Sequence, residues 1–171
     1  NIGNWNVGNV SDMSGMFSNA SEFNQPIEAW DVAKVVSMRS MFSNATSFNQ
    51  YIGNWNVGQV TNMSNMFYYN YAFAQDIGNW DVSNVTDMAS MFNGTISFNK
   101  NIGNWDVGKV TDMSKMFQYA YAFNQNVSNW DVSKVTLMDN MFHRADAFKQ
   151  DVSSWNIGNV TSMDNMFLDI G

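Results

Sequence analysis

Apolar residues return along this chain at fixed distances, while the polar letters between them drift. Trp5, Trp30, Trp55, Trp80, Trp105, Trp130 and Trp155 are spaced 25 residues apart, with no insertion or deletion. All fourteen methionines stand eight or eleven residues after a Trp, and all thirteen phenylalanines stand twelve or eighteen after one. The unit reads I-x-x-W-x-V-x-x-V-[ST]-x-M-x-x-M-F-x-x-A-x-x-F-N-Q-x. A fixed period between about 20 and 50 residues marks stacked repeats that contact mainly their neighbours. Seven copies predict one repeat domain over residues 1–171, a solenoid of seven coils.

Two periodicities alternate within a unit. In "NWNVG", Trp55 and Val57 face one way and Asn54, Asn56 and Gly58 the other, which predicts a short strand. Met63, Met66, Phe67 and Asn70 then follow at i, i+3, i+4 and i+7, which predicts a short helix. Ala20, Ala45, Ala120 and Ala145 hold the last of these places in other copies and allow close packing. Thr61, Thr86, Thr111, Thr136 and Thr161 precede the stripe and read as N-caps. Asp12, Asp87 and Asp112 follow one residue later, where a helix dipole favours an anion. Stacked in register, the units predict a parallel sheet of strands centred on the seven Trp residues, backed by a row of helices. Parallel crossovers favour the right hand. The expected fold is a right-handed α/β solenoid.

The motif W-x-V-x-x-V-T-x-M-x-x-M-F recurs in register through all seven copies, with local substitutions (Ser11 and Val36 for Thr, Ile157 for the first Val). The stretch "FAQDIGNWDVSNVTDMASMF", Phe73 to Phe92, carries it with Ala74 where other copies have Asn. It resembles the repeats of BspA-like leucine-rich-repeat surface proteins, whose 25-residue version was long classed as a bacterial domain of unknown function. That resemblance implies a solenoid of leucine-rich-repeat type and a secreted or surface-attached protein. It also implies protein ligands, such as matrix, host-cell or neighbouring-cell components, and no catalysis. Val10, Val35 and Val60 stand where ordinary leucine-rich repeats place a buried Asn. A different column, Asn24, Asn49, Asn99 and Asn124, is a candidate for satisfying backbone groups.

Composition narrows the partners. There are 15 Asp and Glu against 8 Lys and Arg, a net charge of −7. With no basic cluster, nucleic acid and anionic membrane are not expected as partners. No apolar run approaches the roughly 18 residues of a membrane span. No cysteine is present, so no disulfide or thiol chemistry is available.

The chemistry must lie in the drifting letters. One His (His143) and two Glu (Glu22, Glu28) propose no base beside a nucleophile, His143 reads as solvent-facing, and neither an enzyme nor a cofactor is expected. Asp81, Asp106 and Asp131 follow Trp in three consecutive copies. Stacking would set them about 5 Å apart on an exposed strand face, where like charges repel. Either solvent and Lys109 and Lys134 offset that repulsion, or a hard cation such as calcium does. The recurring Thr leaves ice binding as a lesser alternative to capping.

Six tyrosines lie outside the consensus. Tyr69 and Tyr119 share one column, Tyr71 and Tyr121 another. Ile96 falls between the latter pair, with Tyr68 nearby. The expectation is an aromatic–aliphatic patch across three coils, a candidate protein-binding surface. Covering the core is the competing reading. The first and last units show no polar cap, which suggests a longer array or end-to-end self-association into filaments. Trp5, Val7, Met166 and Phe167 would then be partly open to water.

Overall fold

The computed structural model describes residues 2–171. Six parallel β-bridges join residues one period apart: Asp12 to Ser37, Ser37 to Asn62, Asn62 to Asp87, Asp87 to Asp112, Asp112 to Leu137 and Leu137 to Ser162. Each coil supplies one bridge residue. Among the described residues there is no α-helix and no extended strand. The expected right-handed α/β solenoid of leucine-rich-repeat type, with a strand and a helix per coil, is therefore overturned: the units are stacked coils of consecutive turns.

The stretch taken for a strand keeps its alternation but not its extension. Trp55 and Val57 are buried while Asn54 and Asn56 are exposed. The Trp55 N–H donates to the Ile52 carbonyl (3.1 Å) and the Val60 N–H to the Val57 carbonyl (2.9 Å). Between them, the Asn56 side chain accepts from the Gly58 N–H (3.2 Å). The chain bends on both sides of Trp, so the in–out period arises from linked turns.

The stretch taken for a helix fails for a different reason. Ser90 and Gly94 have φ of 56° and 69°. Their counterparts are positive in every coil, including Asn65 and Tyr69, and Lys115 and Tyr119. A left-handed residue every fourth position cannot belong to a right-handed helix. The hydrogen bonds divide accordingly. Met88, Ser90, Phe92 and Gly94 donate along the stack, to the carbonyls of Asp112, Ser114, Met116 and Gln118 at 2.7–3.1 Å. Met91, Asn93 and Thr95 donate back three residues, to Met88, Ser90 and Phe92. A positive φ at the third residue of such a turn is the type II geometry. Met88, Met91 and Phe92 thus meet on one face because successive turns, rather than helical rotation, bring them there.

The Thr column caps nothing. The Thr86 N–H and Oγ1 both donate to the Thr61 carbonyl, at 2.8 and 3.2 Å. Thr111, Thr136 and Thr161 repeat this, each reaching back one coil. Asp12, Asp87 and Asp112 accept from the amides of Ser14, Ala89 and Ser114, which makes Asx turns at the bridge residues.

The core fills the coils. Each indole N–H from Trp30 to Trp155 donates to the carbonyl of the Ile or Val that opens the preceding coil, at 3.1–3.3 Å. Neighbouring indoles such as Trp80 and Trp105 lie 6.5 Å apart and almost parallel. Two Phe columns run beside them. Phe92 lies 4.2 Å from Phe98 in its own coil and 5.6 Å from Phe117 in the next. Twelve of the fourteen methionines belong to the same buried cluster, where a flexible thioether suits the space beside aromatic rings. At the outer coils Trp5 and Phe167 are exposed, whereas Val7 and Met166 are buried.

A polar ladder joins neighbouring coils, broken where Ala74 replaces Asn. The Asn24, Asn49, Asn99 and Asn124 side-chain oxygens accept the backbone N–H of Asn49, Ala74, Asn124 and Lys149 in the following coil. The same oxygens accept from Gln50, Gln75, Gln125 and Gln150.

Candidate functional site

The turn that follows the second Met brings three residues to a surface groove. In the third coil these are Tyr69, Asn70 and Tyr71, and in the fifth Tyr119, Ala120 and Tyr121, with the middle one buried; in the fourth, Gly94 and Thr95 are both buried and Ile96 is exposed. Asn70, Thr95 and Ala120 are fully buried. The flanking residues surround a groove of about 310 Å³ lined by Tyr69, Tyr71, Gly94, Ile96, Tyr119 and Tyr121.

Axial hydrogen bonds hold this backbone. Tyr69 and Tyr119 have φ of 50° and 58°, a left-handed conformation that costs a bulky residue free energy. Their amides donate to the carbonyls of Asn93 (2.7 Å) and His143 (2.9 Å) in the next coil, which offsets that strain. Tyr69 and Tyr71 meet edge to face at 6.1 Å, and Tyr119 and Tyr121 at 6.4 Å. The two pairs form the walls. Gly94 makes the gap between them: a Cβ there would lie 2.8 Å from Cδ1 of Tyr69. The Tyr69 ring therefore leans over the fourth coil.

Beneath the third and fourth coils of the groove the repeat's usual Ala gives way to polar residues, while the fifth keeps Ala120. Thr95 Oγ1 donates to the Phe67 carbonyl (2.7 Å) and Asn70 Oδ1 accepts from the Phe73 N–H (3.1 Å). Asn70 Nδ2 is buried with no partner. Burial raises the Tyr69 hydroxyl above its ordinary value, helped by Tyr68, Tyr119, Tyr71 and Tyr121, so at neutral pH it remains a donor. Tyr68 stands outside the lining and packs edge-on against Tyr69 at 4.6 Å.

His143 backs the Tyr119 wall rather than facing solvent. Its ring lies 5.4 Å from that of Tyr119 and its side chain is only 16 % exposed. Gln118 Nε2 and His143 Nδ1 are 3.0 Å apart, and His143 Nε2 is 3.9 Å from an Asp169 oxygen. Asn93 Nδ2 donates to Gln118 Oε1 (3.0 Å), extending the polar chain over four coils.

The Asp column belongs elsewhere and does not join the groove. Asp81, Asp106 and Asp131 accept from the amides of Ser83, Gly108 and Ser133 at 3.0–3.1 Å, so each carboxylate closes its own turn. Bonds from the Ser83 and Ser133 hydroxyls, then from their amides, hold Asp81 and Asp131 below the ordinary carboxylate value. No group of three metal-ligating side chains occurs among the described residues. Lys109 binds Asn84 Oδ1 at 2.7 Å instead of a carboxylate. The expected strand face is a row of Asx turns.

Sequence reasoning assembled Tyr69, Tyr71, Ile96, Tyr119 and Tyr121 as one patch and missed Gly94, which opens it. The signal was present. Gly94 replaces a side chain in the very column that holds Tyr69 and Tyr119 on either side.

A family model described as "Mycoplasma protein of unknown function, DUF285" matches residues 1–82 and again residues 68–170. Searches of curated proteins and of solved structures return no match.

Proposed function

We propose that this chain, which belongs to the DUF285 family, is a non-enzymatic interaction module that holds a protein ligand in its tyrosine groove. The observation that carries this reading is the groove itself. Six lining residues from three central coils, none of them part of the repeat consensus, form an open aromatic slot. Tyrosine supplies wide contact area at low entropic cost, with a hydroxyl to orient the ligand. The resemblance of the repeat motif to BspA-like surface proteins supports a ligand at a cell surface or in the surrounding matrix. His143, which pairs with Gln118 and packs against Tyr119 at a tilt, fits a supporting part in the wall better than one in catalysis.

The test is binding of immobilised matrix and cell-surface proteins by the wild type and by a Tyr71→Ala/Tyr121→Ala variant. Both residues are 43 % exposed, so the variant should melt within about 3 °C of the wild type while losing the ligand. Undiminished capture would refute the groove. A steep loss of stability would mean the rings serve as core cover.

A further inference from the structure

The groove has a length scale. Coils joined by parallel bridges rise about 4.8 Å each. Ile96 and Asp146 occupy the same column two coils apart, and so are about 9.6 Å from one another along the stack. A polyproline II helix rises about 3.1 Å per residue and brings every third residue to the same side, a repeat of about 9.3 Å. The two repeats nearly coincide.

Resting on the groove reading above, we propose that the occupant is a polyproline II segment of a partner chain. A proline would sit over Ile96 between the Tyr69–Tyr71 and Tyr119–Tyr121 pairs, the segment would run along the stack across the top of the second pair, and a Lys or Arg three residues along would face Asp146, next in the column after Tyr121. Charge supports both halves of this assignment. The six lining residues include no Asp, Glu, Lys, Arg or His, which suits an uncharged apolar stretch and disfavours a charged one. Asp146 is exposed and has neither a hydrogen bond nor an ion pair among the described residues. Arg144, two residues before it, falls in the Tyr119 column, so the incoming cation is directed to the Tyr121 side. The net charge of −7 steers a basic partner toward the chain.

The backbone of the occupant matters as much. Polyproline II has no internal hydrogen bonds, so its carbonyls need donors, and the tyrosine hydroxyls along the rim provide them. Its conformation is formed before binding, so an open, shallow groove need not supply the free energy to order it.

A labelled proline-rich peptide tests the proposal on the whole chain by fluorescence anisotropy. The probe carries Pro-Pro-Ala repeats with one Arg three residues after a central Pro. Saturable binding tighter than about 1 mM is expected, lost on changing the prolines to Gly and lost in the Tyr71→Ala/Tyr121→Ala variant. Changing the peptide's Arg to Glu should weaken binding about threefold or more, and Asp146→Lys should reverse that preference. Lack of saturation by about 1 mM, indifference to the tyrosines, or indifference of the charge pair to Asp146→Lys would each overturn it. Failure here is separable from failure of the groove. If a surface protein is captured by the wild type and lost in the tyrosine variant while the peptide does not bind, only the polyproline assignment falls. If protein capture ignores the tyrosine variant, the groove reading falls too.

Discussion

The indole N–H of Trp105 donates to the carbonyl of Ile77, 28 residues earlier and one coil away, at 3.1 Å. Both residues are buried. The bond therefore explains more than packing does: it pins the start of one coil to the ring of the next and gives a buried carbonyl, already bonded to the Trp80 N–H at 3.1 Å, a second donor. Repeated from Trp30 to Trp155, it fixes the register of the stack.

Trp105→Phe keeps an aromatic ring but removes one of the two hydrogen bonds to the buried Ile77 carbonyl, which keeps only the Trp80 N–H, and leaves a void beside it. We expect a loss of about 2–4 kcal/mol in urea denaturation. Trp5→Phe, at an exposed ring, should cost less than about 1 kcal/mol. Equal losses at the two sites would refute the role given to the indole bond.

Lys115 offers a change of sign. It is exposed, with φ of 57°. Glycine adopts that conformation freely, so Lys115→Gly should raise stability by up to about 1 kcal/mol. In a helix the same substitution would cost about 1 kcal/mol. Lys115→Val should destabilise, because a β-branched residue tolerates positive φ least.

Gly94→Ala tests the opening of the groove. The new methyl would meet the Tyr69 ring at a residue already at positive φ. The variant should lose about 1 kcal/mol of stability and bind any groove ligand at least severalfold more weakly than the wild type in a direct titration. Unchanged binding would mean that the Tyr69 ring position is irrelevant to the ligand.

Acid should weaken the stack. Asp12, Asp81, Asp131 and Asp151 are held below the ordinary value of 3.8, first by the hydroxyls and then by the amides of Ser14, Ser83, Ser133 and Ser153. A carboxyl with a lower value folded than unfolded binds fewer protons when folded. Its stabilisation is complete above the unfolded value and disappears as pH falls through the folded one. Melting temperature should thus decline from about pH 4 downward. Replacing all four with Asn should flatten that decline yet preserve stability at neutral pH, since Asn56 closes the same turn with Gly58. A wild-type curve flat to pH 2 would contradict this account of the Asx turns.

How far the fold could be read varied from column to column. Trp55 and Val57 announced their burial, and Tyr71, Ile96 and Tyr121 their alignment, because a constant period of 25 converts sequence offset into spatial contact. Backbone conformation did not follow from the same letters. Met63, Met66 and Phe67 have the spacing of a helical face, yet successive turns create that spacing as well. The discriminating residues were polar ones. Gly15, Asn65 and Asn140 in one column, and Asn19, Asn44 and Gly94 in another, are residue types that tolerate positive φ. Lys115, Tyr69 and Arg144 in those same columns are not, and they obscured the pattern. Thr86 was misread because its hydroxyl bonds a neighbouring coil, a partner that local spacing does not reveal. Gly94 went unseen because a site residue without a side chain adds nothing to a list of aromatic residues.

The deciding observation is the direction of one amide bond. Scalar coupling across hydrogen bonds, measured by NMR, identifies the carbonyl that accepts the N–H of Phe92. Stacked turns require Met116 in the following coil, at 2.9 Å. Coupling to Met88, four residues back, would restore the helix and contradict the architecture on which the groove depends.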